Sequence, residues 1–190
     1  MKRPLFLKFV LPFIQWYLLM IILAIAIDYF LHSIQLVWVG RYLGFAGTFL
    51  IVVSFVYSLR KRKLIKSGSP KKLLMLHEYL AWGGSIMLLV HAGIHFNAVL
   101  PWAATLMLLI AVASGLVGKY LLKKANESLK GKRQLLLDSG MSDEEADKSL
   151  FFDSITVDLM KKWRLAHMPI TLVLGILVLL HIISIIIFSS

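Results

Sequence analysis

The chain contains no cysteine. It can therefore form no disulfide, hold no thiolate-ligated iron–sulfur cluster and attach no c-type haem through a C-x-x-C-H motif. It shows no internal repeat and no low-complexity tract, and its ten acidic residues are outnumbered by 21 Lys and Arg. At 190 residues it has no space for a flavin or nicotinamide domain beside the apolar runs described next. What it has in excess is hydrophobic side chain. Such residues make up 59% of the chain and mean hydropathy is +0.81, values that belong to membrane proteins rather than soluble domains.

Five stretches, 9–31, 37–59, 73–97, 100–122 and 163–188, are long enough to cross a bilayer as helix, which takes about 20 residues. The expected fold is an all-α integral membrane protein, a bundle of five transmembrane helices forming a single membrane domain over 1–190. The first stretch follows Met1-Lys2-Arg3 but runs too long for a signal-peptide apolar region and offers no convincing small-x-small cleavage site before Asp28, so a retained helix is expected. Twenty of the 21 Lys and Arg fall before the first stretch, between the second and third, or between Lys119 and Arg164; Arg41 is the exception. The positive-inside rule makes that side cytoplasmic, with the N-terminus in and the C-terminus out. The same distribution explains the net charge of +11 without nucleic acid. Between spans four and five, the polar segment 123–162 carries a capping box at Ser142-Asp143-Glu144-Glu145 and apolar clusters at Leu135–Leu137 and Leu150–Phe152. Two short amphipathic helices are expected there, serving either as a solvated connector or as a platform for a partner.

The six histidines are His32, His77, His91, His95, His167 and His181. An ionisable side chain within a membrane is costly and calls for a partner. His77 and His91 lie 14 residues apart in the third stretch, and His167 and His181 lie 14 apart in the fifth. Fourteen residues turn a helix through about 1,400°, roughly 40° short of four full turns, and advance it about 21 Å. Each pair thus shares a face, and the two helices run parallel in the topology above. His77 and His167 fall at the inner level, His91 and His181 at the outer. Facing imidazoles at two levels suit axial ligation of two planar metal-bearing macrocycles. Zinc is less suited: His91 and His95 form an i, i+4 pair, but no carboxylate or cysteine nearby in sequence completes a tetrahedron.

These H-x13-H pairs resemble those of di-haem membrane cytochromes b, and most closely the ferric reductase-like transmembrane core, which also places its ligands on the third and fifth helices. The resemblance covers about 73–188. It implies two b-type haems between helices 3 and 5, the inner on His77/His167 and the outer on His91/His181, with His77, His91, His167 and His181 as iron ligands. It also implies electron transfer across the membrane. The chain departs from full-length ferric reductases and NADPH oxidases in lacking a C-terminal flavin- and nicotinamide-binding domain, so the electron donor is left open.

Other residues fit this reading and also simpler ones. Gly83, Gly84 and Gly175 give clearance either to a macrocycle or to a neighbouring helix. Arg164, with Lys161 and Lys162, is placed to neutralise an inner propionate or to flank a span as ordinary charge. Arg41 is placed for an outer propionate or for Asp28. His95, His32 and Asp28 are candidates for a propionate, a quinone or a proton at the outer face, or are interfacial. Trp38, Trp102 and Trp163 read as interfacial anchors, and Pro169 as an adjustment to the start of the fifth helix.

The expected role is a di-haem b-type electron-transfer subunit in a bacterial cytoplasmic (inner) membrane, a multi-pass protein working with a redox partner subunit or a soluble carrier, and with quinone as a candidate. A quinol-oxidising or metal-reducing cytochrome b enzyme is one alternative. A non-redox assembly factor or transporter, with its histidines as interhelical glue, is the other. Beyond membrane lipid and redox partners, no nucleic acid is expected.

Overall fold

A computed structural model describes residues 5–94, 98–118 and 123–188. Helices and short turns account for these residues, and no strand occurs among them. In chain order the helices are α1 (Leu5–Ser33), α2 (Val39–Ser54), α3 (Val56–Lys61), α4 (Pro70–Ile94), α5 (Val99–Leu116), α6 (Lys123–Asp138), α7 (Asp143–Ser149) and α8 (Phe151–Phe188). Five segments are long and apolar enough to cross a membrane: Phe13–Ser33, Val39–Lys61, Pro70–Ile94, Val99–Leu116 and Phe151–Phe188.

These spans match the five apolar stretches in number and order, with shifts that have local causes. The third span, α4, begins at Pro70 rather than at 73. Proline suits a first helical position, where its missing N–H has no partner to lose. The second span is interrupted at Phe55, where Phe55 N–H bonds the Val52 carbonyl three residues back and α3 then resumes the helix. The largest shift is in the fifth span, α8, which begins at Phe151 instead of 163 and runs 38 residues, unbroken by Pro169. At 1.5 Å per residue that is about 57 Å, nearly twice a hydrocarbon core of roughly 30 Å. Its first three turns are the polar stretch that hydropathy reads as connector.

The outward surface of the spans is apolar. Ile25 is 63% exposed, Phe49 66% and Ile186 71%. Such a surface is a liability in water, whereas in lipid it is the natural exterior and leaves helices free to satisfy their own backbones.

The chain divides into two compact units, Met1–Tyr17 with Ala113–Leu172, and Leu18–Val112 with Val173–Ser190. In the second, Met20, Ala24 and Leu31 form the buried stripe of α1, and Asp28 falls in the same helical register. The tightest packing there is between α2 and α4. A Cβ added at Gly47 would lie 2.8 Å from the Gly84 carbonyl oxygen, and one at Gly84 would lie 2.9 Å from the Gly47 carbonyl oxygen. Only residues without side chains let the two backbones approach so closely.

The first unit holds the polar segment. Ala125 and Val157 are buried against each other's helices, with Leu129 and Met160 packed around them. Arg133 on α6 donates from Nη2 to Asp143 (2.8 Å) and from Nε to Asp147 (3.1 Å) at the two ends of α7's charged face, and Lys132 bonds Asp153. The capping box forms as expected: Ser142 Oγ accepts from Glu145 N–H, and Glu145 accepts from Ser142 N–H. Those bonds to the carboxylate hold Glu145 below the usual carboxylate range.

Candidate functional site

Two histidines of α4 are aimed by main-chain oxygens of α2. His77 Nδ1 lies 3.1 Å from the Ser54 carbonyl oxygen and His91 Nδ1 lies 2.9 Å from the Gly40 carbonyl oxygen. A carbonyl oxygen can only accept, so in both rings Nδ1 carries the hydrogen and donates it. A neutral ring then has its lone pair on Nε2. This is the arrangement of metal-ligating histidines, whose second nitrogen donates to a carbonyl or carboxylate that fixes ring and tautomer. Gly40 and Ser54 are themselves 14 residues apart, the spacing of His77 and His91. Two parallel or antiparallel helices advance equally per residue, so matched spacing lets one helix hold both rings of the other.

Local chemistry explains why these acceptors are available. Ser54 ends α2, where carbonyls lose their intrahelical partners. Its hydroxyl bonds the Ile51 carbonyl at 2.6 Å and its side chain is buried. Gly44 lies one turn from Gly40 and makes space for the ring: a Cβ there would fall 2.8 Å from His91 Nδ1 and 2.9 Å from Cγ and Cε1. Tyr57 of α3 packs on His77 with ring centroids 5.7 Å apart and planes 31° apart. None of these α2 and α3 residues was singled out from sequence. The signal available was the second 14-residue interval, Gly40 to Ser54.

His91 of α4 and His181 of α8 come together. Their ring centroids are 6.3 Å apart with planes at 62°. Two imidazoles gripping one metal ion from opposite sides, at about 2 Å per metal–nitrogen bond, bring their ring centres to roughly 6 Å. The pair therefore has the spacing and, at His91, the tautomer that one metal between them requires. Among the described residues no three His, Asp or Glu side chains gather into a metal-binding group.

His167 belongs to the first unit. Its Nδ1 lies 2.6 Å from Oγ of Ser114 on α5, and Ser114 is fully buried. A hydroxyl can donate or accept, so this contact anchors the ring without deciding its tautomer. Gly115 faces the same ring, and a Cβ there would lie at an ordinary 3.5 Å from Cε1.

The remaining candidates separate into those with a structural partner and those without. No Arg41–Asp28 ion pair occurs among the described residues; within α1, His32 Nδ1 bonds the Asp28 main-chain oxygen at 2.9 Å and stands 3.6 Å from Asp28 Oδ1. One turn of helix brings the two together, whereas Arg41 lines a shallow hollow of about 250 Å³ with Val37, Trp38 and Tyr42. Asp28 Oδ1 is buried without a hydrogen bond among the described residues, and a Cβ at Gly93 would stand 3.3 Å from it. Gly84 serves the α2–α4 approach, while Cβ atoms at Gly83 and Gly175 would meet nothing within 4 Å. His95 and the side chain of Arg164 lie outside the described residues.

The fold and site define a class: among the described residues the protein is all-helical, with five segments of membrane-spanning length and composition, two of which carry the paired histidines. Comparison with known proteins finds no matching family model, no matching curated relative and no matching solved structure.

Proposed function

We propose that the chain is a membrane electron-transfer subunit that binds two b-type haems, the outer through His91 and His181 and the inner through His77 and His167. The observation that carries the reading is the His91–His181 approach at 6.3 Å, together with the Nδ1 bond from His91 to the Gly40 carbonyl. His77 supports it with the same kind of bond to Ser54. Bound haem would supply a one-electron iron couple. The protein's own contribution is to present Nε2 of His91 and His77, to hold each ring against rotation through a main-chain acceptor, and to bury the site in a low-dielectric bundle. Held by His91 with His181 and by His77 with His167, the iron would supply electron transfer rather than a site for oxygen or substrate.

The test is a reduced-minus-oxidised absorption spectrum of protein purified from haem-replete cells, with haem counted against chain. The expected result is about two non-covalent, low-spin haems per chain. His91→Ala and His181→Ala are each expected to remove one and the same haem. A colourless, monodisperse protein would sink the proposal and favour the assembly-factor or transporter reading. A second redox reading, reaction with quinol, draws on the buried, unbonded Asp28 Oδ1 beside His32. Inhibition of haem reduction by quinone-site compounds, lost in Asp28→Asn, would distinguish it from a simple conduit.

A further inference from the structure

Arg60, Lys61, Arg62, Lys63, Lys66, Lys71 and Lys72 fall within 13 residues that contain no carboxylate. None of the seven makes an ion pair among the described residues. The other charged stretch, 123–162, is built differently, with eight Lys and Arg against eight Asp and Glu. There Lys132, Arg133, Lys148 and Lys161 each hold a carboxylate. Positive charge placed only to orient spans needs no particular shape, but the 60–72 segment has one. Lys63 and Gly68 adopt left-handed φ values of 62° and 88°, and Arg60 Nε donates to the Gly68 carbonyl at 3.1 Å, folding the turn back on the end of α3. Every side chain from Lys61 to Lys72 except Ile65 is exposed, and Leu64, 70% exposed, stands among the cations.

We infer that this turn is a binding surface for the head groups of anionic phospholipids. The patch is tied at both ends to candidate spans, one ending at Lys61 and the next starting at Pro70. The folded turn therefore keeps its cations within about a Debye length, 8–10 Å, of the head-group plane, where lipid phosphates are the nearest concentrated negative charge. An exposed leucine between lysines suits an interface that is apolar on one side and anionic on the other, and would be wasted on a purely aqueous contact. Each cation held at an anionic surface strengthens association about fivefold.

The experiment uses the full chain in an uncharged detergent with equal phosphatidylglycerol and phosphatidylcholine, the retained lipid being read by native mass spectrometry. The wild type is expected to keep phosphatidylglycerol in preference, and to lose that preference as sodium chloride is raised. Replacing Arg62→Gln, Lys66→Gln and Lys71→Gln together is expected to reduce it at least tenfold. The same charge removed by Lys130→Gln, Lys148→Gln and Lys161→Gln is expected to leave it unchanged. Equal retention of the two lipids by the wild type would overturn the inference even if the loop variant failed to fold. So would an equal drop in the control variant, or displacement of the lipid by inorganic phosphate at matched ionic strength. A folded loop variant with its preference intact would also overturn it, leaving an acidic protein surface as the partner of the patch.

Discussion

His91 and His167 occupy comparable places, each on a long apolar helix with Nδ1 bonded across to a neighbouring one, yet they are held by different chemistry. His91 donates to a main-chain carbonyl at 2.9 Å and has Gly44 pressed against its ring. His167 meets a serine hydroxyl at 2.6 Å and has Gly115 at ordinary contact distance. A carbonyl belongs to the backbone of α2 and can only accept, so position and tautomer are both fixed by the fold itself. A hydroxyl rotates and can serve as donor or acceptor, so position is fixed and protonation pattern is not. The lesson is that a ligand-grade histidine is made by what stands behind it as much as by where it points.

Gly44→Ala should break the comparison most severely. The added Cβ would sit 2.8–2.9 Å from three atoms of the His91 ring, and neither partner is the loose end of a flexible chain. The ring is expected to leave the Gly40 carbonyl and with it the spacing to His181. On the proposed two-haem reading, the count should fall from about two per chain to about one, matching His91→Ala. A count that stays at two, with an unshifted spectrum, would show that the α2 contact does not govern the site.

How much of this could be read beforehand depends on the residue type. The five spans were legible because twenty apolar residues in a row have few other uses, and the capping box at Ser142 because its partners are three residues apart. The start of α8 was not, since hydropathy marks where a helix meets lipid and is silent on Asp153, Asp158 and Lys161, which continue the same helix in polar surroundings. His91 and His181 stood out as ionisable groups in apolar runs, and the structure brings their rings together. The α2 half of the site was hidden because it consists of two carbonyls, of Gly40 and Ser54, and the bare backbone of Gly44 beside the His91 ring. Main-chain acceptors leave no mark in sequence, and glycine in a span reads equally as packing. The proximity of Asp28 and His32 was open to view as an i, i+4 interval, whereas sequence alone left Asp28 as one of two candidate partners for Arg41.

Ser114→Ala tests the other side of the comparison and should act more mildly. Removing the hydroxyl takes a buried partner from His167 Nδ1, a loss of about 1–3 kcal/mol. In a chain of this size each kcal/mol moves the unfolding midpoint by roughly 2–4 °C. The haem count is expected to hold near two, because the ring keeps its helix and its neighbours, while Tm falls. Ser114→Thr, which retains the hydroxyl, should recover much of the loss. If Ser114→Ala removes a haem as cleanly as Gly44→Ala does, hydroxyl and carbonyl are equivalent anchors and the distinction drawn here fails.

Gly115→Ala should have the smallest effect, and the contrast with Gly44→Ala is its use. The two glycines look alike in sequence, each facing a histidine from the adjacent helix. At Gly115 the new methyl would stand 3.5 Å from His167 Cε1, at normal van der Waals distance, so nothing has to move. Alanine also narrows the unfolded ensemble and favours helix, gains of a few tenths to about 1 kcal/mol where the backbone is already helical. Haem content is expected to be unchanged and Tm equal or slightly higher. Loss of a haem in this variant would mean that His167 tolerates no nearer neighbour than it has. Its surroundings would then be as strictly shaped as those of His91, by a contact that the hydrogen-bond chemistry alone does not predict.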